Sequence, residues 1–327
     1  MKALISGGTG FLGGKLARRL QSMGWDVTAL GRKPAALGEL QSQGIKAMRA
    51  DLENQAEIID ACRGQEIVFH CGALSSPWGR AKDFYAANVL GSENVIRGCM
   101  DANVQRLVHV STPSIYFRFT PRLNVREDAE LPKPVNAYAR TKRIAESKID
   151  QAHADGLPVI TIRPRAIFGP GDTSILPRLL QRLEAGRMRI IGDGSNISDL
   201  TYVENVVDAL ILCAGAPVNT LGRKYNITNG EPVLLWPMIE RLCKALKLKY
   251  PTRKLPYSVA HNLAWILESI YRFLPGQPEP PLTRYSVFVI AQSATLDISA
   301  ARRDLNYSPR ISVEAGVEEF IASKLRK

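Results

Sequence analysis

A doubly wound parallel α/β sheet followed by a smaller, mainly helical region is what this sequence predicts, and three observations predict it. The chain opens with a short apolar run that ends in glycines at 7, 10 and 13. Apolar strand-like runs then alternate with stretches of helical periodicity through the first half, the pattern of βαβ units. After Gly169-Pro-Gly171 the alternation stops, and from Glu231 onward proline and long helical patterns dominate.

The elements follow in order. Ala3, Leu4 and Ile5 make a buried parallel strand, Gly7 allows the tight turn out of it, and Phe11–Met23 is an amphipathic helix. Gly10 lets backbone N–H groups approach a pyrophosphate at the helix N-terminus, where the helix dipole favours negative charge, and Gly13 lets the helix lie against the strand. The spacing is Gly-x-x-Gly-x-x-Gly. Further strands are predicted at Asp26–Leu30, Lys46–Arg49, Ile67–His70, Arg106–Ser111 and Val159–Arg163. Ligands bind such sheets beyond the carboxyl ends of the strands. That singles out Leu30-Gly-Arg-Lys33, Asp51-Leu52, Cys71-Gly-Ala73, Ser111-Thr112 and Pro164-Arg165. Ser174–Ala185 reads as a helix, Gly192–Asn196 as a turn, Tyr202–Ala214 as a helix returning to the sheet, and Lys224–Ile227 as a late strand. Residues 1–171 and 198–230 are thereby assigned to a dinucleotide-binding domain, and 172–197 and 231–327 to a substrate domain.

Composition narrows the class. With 45% hydrophobic residues, 327 residues supply a sizeable core. Five cysteines without Cys-x-x-Cys spacing read as free thiols of a reducing compartment, and four scattered histidines give no metal-ligand pattern. The first strand begins at residue 2 and leaves no room for a signal peptide, so a cytoplasmic protein is expected. The net charge of +12 has two readings, a solvated basic surface or attraction to an anionic membrane or acidic ligand. The first is favoured, and no nucleic acid is expected, because no Lys/Arg block is interleaved with aromatics.

Tyr138-Ala-Arg-Thr-Lys142 puts a phenol and an ammonium on one face of a helix that Asn136 caps. A nearby lysine, an oxidised nicotinamide and the helix N-terminus all favour the phenolate, drawing its pKa from about 10 toward the range of a general acid/base. Val108–Tyr116 reads as a buried strand ending in hydroxyl residues, one of which can donate to a substrate oxygen.

In these pieces the chain resembles the extended short-chain dehydrogenase/reductase family over nearly its whole length. The matching motifs are Gly7-Gly-Thr-Gly-Phe-Leu-Gly13, Asp51-Leu52, His70-Cys-Gly-Ala73, Asn88-Val-Leu-Gly91, Val110-Ser-Thr112, Tyr138 with Lys142, Arg163-Pro-Arg-Ala-Ile-Phe-Gly-Pro-Gly171 and Tyr202-Val-Glu-Asn-Val206. The resemblance implies a Rossmann-type fold, with Tyr138 as general acid/base, Lys142 as its electrostatic partner and ribose ligand, and Thr112 bonded to the substrate. It implies Gly7, Thr9, Gly10, Phe11, Leu12 and Gly13 at the pyrophosphate, Asp51 and Leu52 at the adenine, and Cys71, Gly72 and Ala73 along the cofactor wall. Asn88, Ser111 and Pro164 would lie around the nicotinamide. A homodimer is implied through the helices near 83–102 and 137–156. Ala73-Leu-Ser-Ser-Pro-Trp-Gly79, Asp199–Val207, Tyr225–Pro232 and Pro281–Tyr285 are similar to the 3β-hydroxysteroid dehydrogenase branch. That branch includes sterol-4-carboxylate dehydrogenases and reductases of long-chain 2-alkyl-3-keto acids.

The expected activity is therefore an NADP(H)-dependent interconversion of a secondary alcohol and a ketone on a large apolar substrate. Arg32 and Lys33, with no acid at the end of the second strand, favour NADP(H), and NAD stays open. Ser75, Trp78, Thr112, Ser114, Tyr116 and Phe168, with Pro77, Ile115 and Phe117, are expected to line the substrate cavity. A nucleotide-sugar epimerase or dehydratase is the alternative on the same scaffold, and a non-catalytic cofactor-binding subunit is a third. Against the alternative, Ser198 stands where the family's nucleotide-sugar members carry an arginine clamp, and Pro113-Ser114 rather than acids follow Thr112. Tyr257–Leu274 is too interrupted by polar residues to span a membrane. It reads as a helix packed over the substrate domain, or as a lid or membrane-surface contact.

Overall fold

A computed structural model describes residues 1–326, and Lys327 lies outside the described residues. Strands β1 (Lys2–Ser6), β2 (Asp26–Gly31), β3 (Lys46–Arg49), β4 (Ile67–His70), β5 (Arg106–Val110), β6 (Val159–Pro164) and β7 (Lys224–Ile227) form one parallel sheet. Its order is β7-β6-β5-β4-β1-β2-β3, so the winding reverses between β1 and β4. At that seam Ser6 is in register with His70. A crevice beyond such a reversal is where doubly wound sheets bind dinucleotides.

The longer helices are α1 (Phe11–Ser22), α2 (Pro34–Ser42), α3 (Gln55–Cys62), α4 (Gly91–Asp101), α5 (Ala137–Ala154) and α6 (Ile175–Glu184), followed by α7 (Val203–Gly215), α8 (Leu235–Ala245), α9 (Tyr257–Phe273), α10 (Arg284–Ala291), α11 (Ser299–Leu305) and α12 (Val313–Leu325). Successive strand residues point to opposite faces. Ile5 therefore joins Leu16, Leu20, Val206 and Leu210 of α1 and α7. Its neighbour Leu4 joins Ile58, Val95 and Ile149 of α3, α4 and α5 on the other face.

The second half has its own core, with Phe168, Leu176, Leu180, Trp236, Ile239 and Phe320 contributed mainly by α6, α8 and α12. It is not purely helical. Val233–Leu234, Ile197–Ser198, Ala294–Leu296 and Arg122–Val125 form a small four-stranded sheet in that order. The boundary expected at 231 is crossed in both directions. Arg122–Val125 leaves the first half to pair with Ala294–Leu296, while Ile298, Ala301, Leu305 and Tyr307 pack into the core of the main sheet.

Helix α9 reverses the usual orientation of an amphipathic helix. Ala260, Ala264 and Glu268, spaced by four, face inward, and Glu268 pairs with Arg284 of α10 at 2.7 Å. Val259, Leu263, Ile266, Ile270 and Phe273 form one outward stripe, with Phe273 86% exposed. The inward stripe packs, with Tyr257 and His261 partly covered beside it, so the helix lies on the domain by one face and leaves the other bare. Among the described residues no helix is long and apolar enough to cross a membrane.

Candidate active site

The site begins at the seam of the sheet. Gly7 has φ +69°, and a Cβ there would stand 2.7 Å from Gly72 Cα at the end of β4. A Cβ at Gly13 would collide with the Gly7 carbonyl oxygen. Helix α1 starts at Gly10 with no side-chain cap, so the N–H groups of its first turn are left for an outside acceptor. This cradle fits the pyrophosphate of a dinucleotide, with Thr9, Phe11 and Leu12 in the same turn. Leu52 packs against Gly72 and Gly91 beside the seam. At the outer edge Arg32 is 69% exposed, with its Nη1 3.7 Å from Asp51 Oδ2. Lys33, also exposed, is the N-cap residue of α2.

Below the cradle lies a buried polar seam that sequence reasoning did not find. Ser6 Oγ and His70 Nδ1 are 2.7 Å apart, His70 Nε2 and Ser92 Oγ 3.0 Å, and Ser6 Oγ accepts from Gly72 N. His70 is in register with His109 of β5, and the two rings stack at 5.6 Å. Burial pushes His70 down to about 3 and the Cys71 thiol up to about 12, so both are neutral. Their only trace in the sequence is a pair of polar residues near the ends of two apolar strands.

Asn88 acts one layer further out than expected. Its Oδ1 accepts from Leu74 N at 2.7 Å, and its Nδ2 donates to Leu74 O and to Thr141 Oγ1 at 3.1 Å each. It thus ties the segment after Ala73 to α5, the helix that carries Tyr138 and Lys142.

Asn136 caps α5, its Oδ1 accepting from Ala139 N at 2.8 Å. Two residues later Tyr138 is half-buried beside Phe84. Burial raises its phenol above the ordinary value, while the Thr112 and Ser75 hydroxyls draw it down. The expected lowering by Lys142 is not found, because the ammonium points elsewhere. Lys142 Nζ donates to Val110 O at 2.8 Å and lies 3.2 Å from His109 Nε2. Lys142 is 1% exposed, and burial lowers it to about 8 against the opposing effect of Glu146. Thr112 Oγ1 donates to Ser114 Oγ at 3.1 Å, and Ser114 Oγ is 2.9 Å from the Tyr285 hydroxyl. Tyr285 extends the hydroxyl chain, and no spacing signal in the sequence singled it out. Ser111 Oγ is buried without a partner among the described residues.

Three expected cavity residues pack into the core, although Tyr116 also borders the small void beside Arg165. Tyr116 is 1% exposed, donates to Asn226 Oδ1 at 3.0 Å and accepts from Arg163. Arg163 is held by both oxygens of Glu146. Phe168 is buried against Tyr202, with ring centroids 5.6 Å apart, beside Leu176 and Leu180. Ile115 likewise packs with Val125 and Leu296. Trp78 stays half-buried and donates from Nε1 to Gln277 O at 3.1 Å, which joins the loop after β4 to the loop after α9. Phe117 stacks near Tyr285 and Phe288. Pro164 closes β6, and Arg165 follows it, buried.

The chain matches the family described as NAD dependent epimerase/dehydratase over residues 3–228. It is 36% identical over 329 residues to a 2-alkyl-3-oxoalkanoate reductase of Stenotrophomonas maltophilia, covering 99% of each chain. It is also 36% identical over 301 residues to 3beta-hydroxysteroid-dehydrogenase/decarboxylase isoform 1 of Arabidopsis thaliana, covering 88% of this chain and 69% of that one. Among solved structures, a UDP-glucuronic acid 4-epimerase from Bacillus cereus in complex with NAD is similar with a TM-score of 0.78. It covers 100% of this chain and 99% of its own at 22% identity, a likeness that shows the fold alone.

Proposed function

The chain belongs to the NAD dependent epimerase/dehydratase family, and on that premise we propose that it interconverts a ketone and a secondary alcohol on a large, mostly apolar 3-oxo or 3-hydroxy compound. The observation that carries this reading is the half-buried Tyr138 phenol, acted on by the Thr112 and Ser75 hydroxyls and one helical turn from Lys142, which is anchored at the carboxyl end of β5. The nicotinamide, when bound, supplies or accepts the hydride. Tyr138 gives its proton to the carbonyl oxygen in reduction and takes it back in oxidation, while Thr112 orients that oxygen. A phenol kept protonated by burial suits the donor role. Lys142 commits two of its three N–H donors to β5 and keeps one for a ribose hydroxyl. The reductase and dehydrogenase relatives, similar over most of this chain, support the same chemistry.

The test is consumption of NADPH or NADH with long-chain 3-oxo acids, 3-oxo sterols and nucleotide sugars side by side. Turnover of the lipids is expected, and turnover of a nucleotide sugar alone would overturn the reading. Tyr138→Phe should lower turnover by about a hundred- to ten-thousand-fold while leaving dinucleotide binding unchanged.

Two finer features complete the proposal. NADP(H) is the preferred dinucleotide, because β2 ends in Gly31 without a carboxylate and the adjacent Arg32 is exposed, with a single long ion pair to Asp51 among the described residues. The outward stripe of α9 rests on an anionic lipid surface. Between 244 and 278 the exposed cations are Lys244, Lys247, Lys249, Arg253, Lys254 and Arg272, and the one carboxylate, Glu268, is buried with Arg284. None of those six pairs with a carboxylate among the described residues. An apolar stripe about 21 Å long, by helical rise, with basic residues at both ends matches an interfacial helix.

A further inference from the structure

We infer that Arg165 is the seat of a substrate carboxylate carried close to the reacting carbonyl, a step that rests on the ketone-reduction reading and names the anionic group it takes. Arg165 directly follows Pro164 at the end of β6 and is 3% exposed. Of its five N–H donors, Nη2 reaches one neutral acceptor, Ser198 Oγ at 3.2 Å, and the buried Nε has no partner. No carboxylate lies within 4 Å of it among the described residues. The acid whose charge it feels, Asp199, has one oxygen committed to Leu296 N at 2.6 Å and the other without a partner.

A guanidinium cannot shed its proton to escape burial. An uncompensated one is costly, and folds rarely retain it without use. The contrast with Arg163, two residues earlier and equally buried, removes strand position as the cause: Arg163 is bidentate with Glu146. The surroundings of Arg165 suit a ligand with an anionic head and an apolar body. Its guanidinium lies 5.0 Å from the Phe117 ring centroid and borders a small void of about 10 Å³, lined also by Phe288, Leu296 and Val125 and by the cations Arg118 and Arg122. Phe117 links Arg165 to the hydroxyl chain: its ring lies 5.6 Å from that of Tyr285, which is bonded to Ser114 and so to Thr112. A carbonyl held at Tyr138 and Thr112 can therefore carry a carboxylate to the guanidinium fork, the bidentate geometry in which arginine recognises carboxylates.

The experiment compares a long-chain 3-hydroxy acid with its methyl ester as substrates for NADP-dependent oxidation, in wild type, Arg165→Met and Arg165→Lys. Wild type is expected to favour the acid by about a hundredfold in kcat/KM, the scale of losing a buried charge-assisted pair. In Arg165→Met the preference should vanish through a raised KM for the acid, with ester turnover retained. Arg165→Lys, which keeps the charge but loses the fork, should fall between. Calorimetric titration of the acid into each protein gives a readout independent of turnover. If wild type oxidises neither compound but the acid binds and Arg165→Met abolishes that binding, the anion seat stands and the ketone-reduction reading falls. Equal treatment of acid and ester by wild type overturns the inference. So does an unchanged acid-to-ester ratio in Arg165→Met, or tight binding of UDP-glucose with none of the acid.

Discussion

Arg163 and Arg165 flank one proline on one strand, and both are almost fully buried, yet they sit in opposite electrostatic conditions. Arg163 has Glu146 on two of its nitrogens, with the Tyr116 hydroxyl and the Glu127 carbonyl on a third. Its neighbours raise its pKa against burial, whereas burial dominates at Arg165 and lowers it. The first knots α5, β6 and the strand–loop region around Tyr116 into one rigid unit. The second has no ion pair among the described residues and only the more distant charge of Asp199 to oppose the cost of burial. Burial by itself therefore says nothing about whether a charged residue is structural or functional. The number of its partners does.

Substitution of the two partners' ends tests that contrast most severely. Glu146→Gln leaves Arg163 buried without its counter-charge and is expected to lower unfolding free energy by about 3–5 kcal/mol, measured by urea denaturation. Arg165→Met removes an unpaired charge and should leave stability within about 1 kcal/mol of wild type or above it. Equal losses at both would erase the distinction.

Lys142 is a third buried cation, intermediate because it has two neutral acceptors and no ion pair. Its folded pKa, about 8, lies below the ordinary 10.5. Between those values the unfolded chain holds a proton that the folded chain has released, so wild-type stability rises with pH through that window. Below pH 8 the folded state carries the full cost of the buried charge. Lys142→Met should thus be more stable than wild type at pH 7 by at most roughly 3 kcal/mol before packing losses. That advantage should shrink between pH 8 and 10. A pH-independent difference in urea melts at pH 7 and 9.5 would detach the effect from the charge.

The exposed cations give the smaller effects. Arg32→Asp is expected to shift the NADPH-to-NADH ratio of kcat/KM by on the order of tenfold, about 1.4 kcal/mol, and a wild type that prefers NADH would remove the role given to Arg32. On α9, joint Ile266→Asp and Phe273→Asp substitution should abolish flotation with phosphatidylglycerol vesicles at low salt. Stability should move by no more than about 0.5 kcal/mol, since both side chains already face water. Wild type that fails to float, or floats equally with neutral phosphatidylcholine, contradicts the lipid contact.

Much of the fold was legible because its signals are local. The predicted strands at Lys46–Arg49, Ile67–His70 and Lys224–Ile227 coincide with β3, β4 and β7, and the Asn136 cap of α5 is present. Glycines at 7 and 13 could be read because their conformation or their neighbours tolerate nothing larger. Tyr138 and Lys142 share a helix face, as their spacing dictates, but spacing is silent on where a flexible ammonium points. That choice was made by β5, which offers the Val110 carbonyl and His109.

The amino-acid order by itself determined the strand–helix alternation, the pyrophosphate cradle and the tyrosine–lysine helix, since each depends on residues a few positions apart and on backbone sterics. Only the tertiary structure decided which buried arginine has a counter-charge, that Tyr116 and Phe168 serve the core, and that α9 turns its apolar stripe outward. Those outcomes depend on partners distant in sequence: Glu146 lies 17 residues from Arg163, Asn226 lies 110 from Tyr116, and small Ala260 and Ala264 pack beside Val287. Periodicity reports that a helix has two faces. Which face finds a closer-packed neighbour is settled by the surfaces the rest of the chain brings against it.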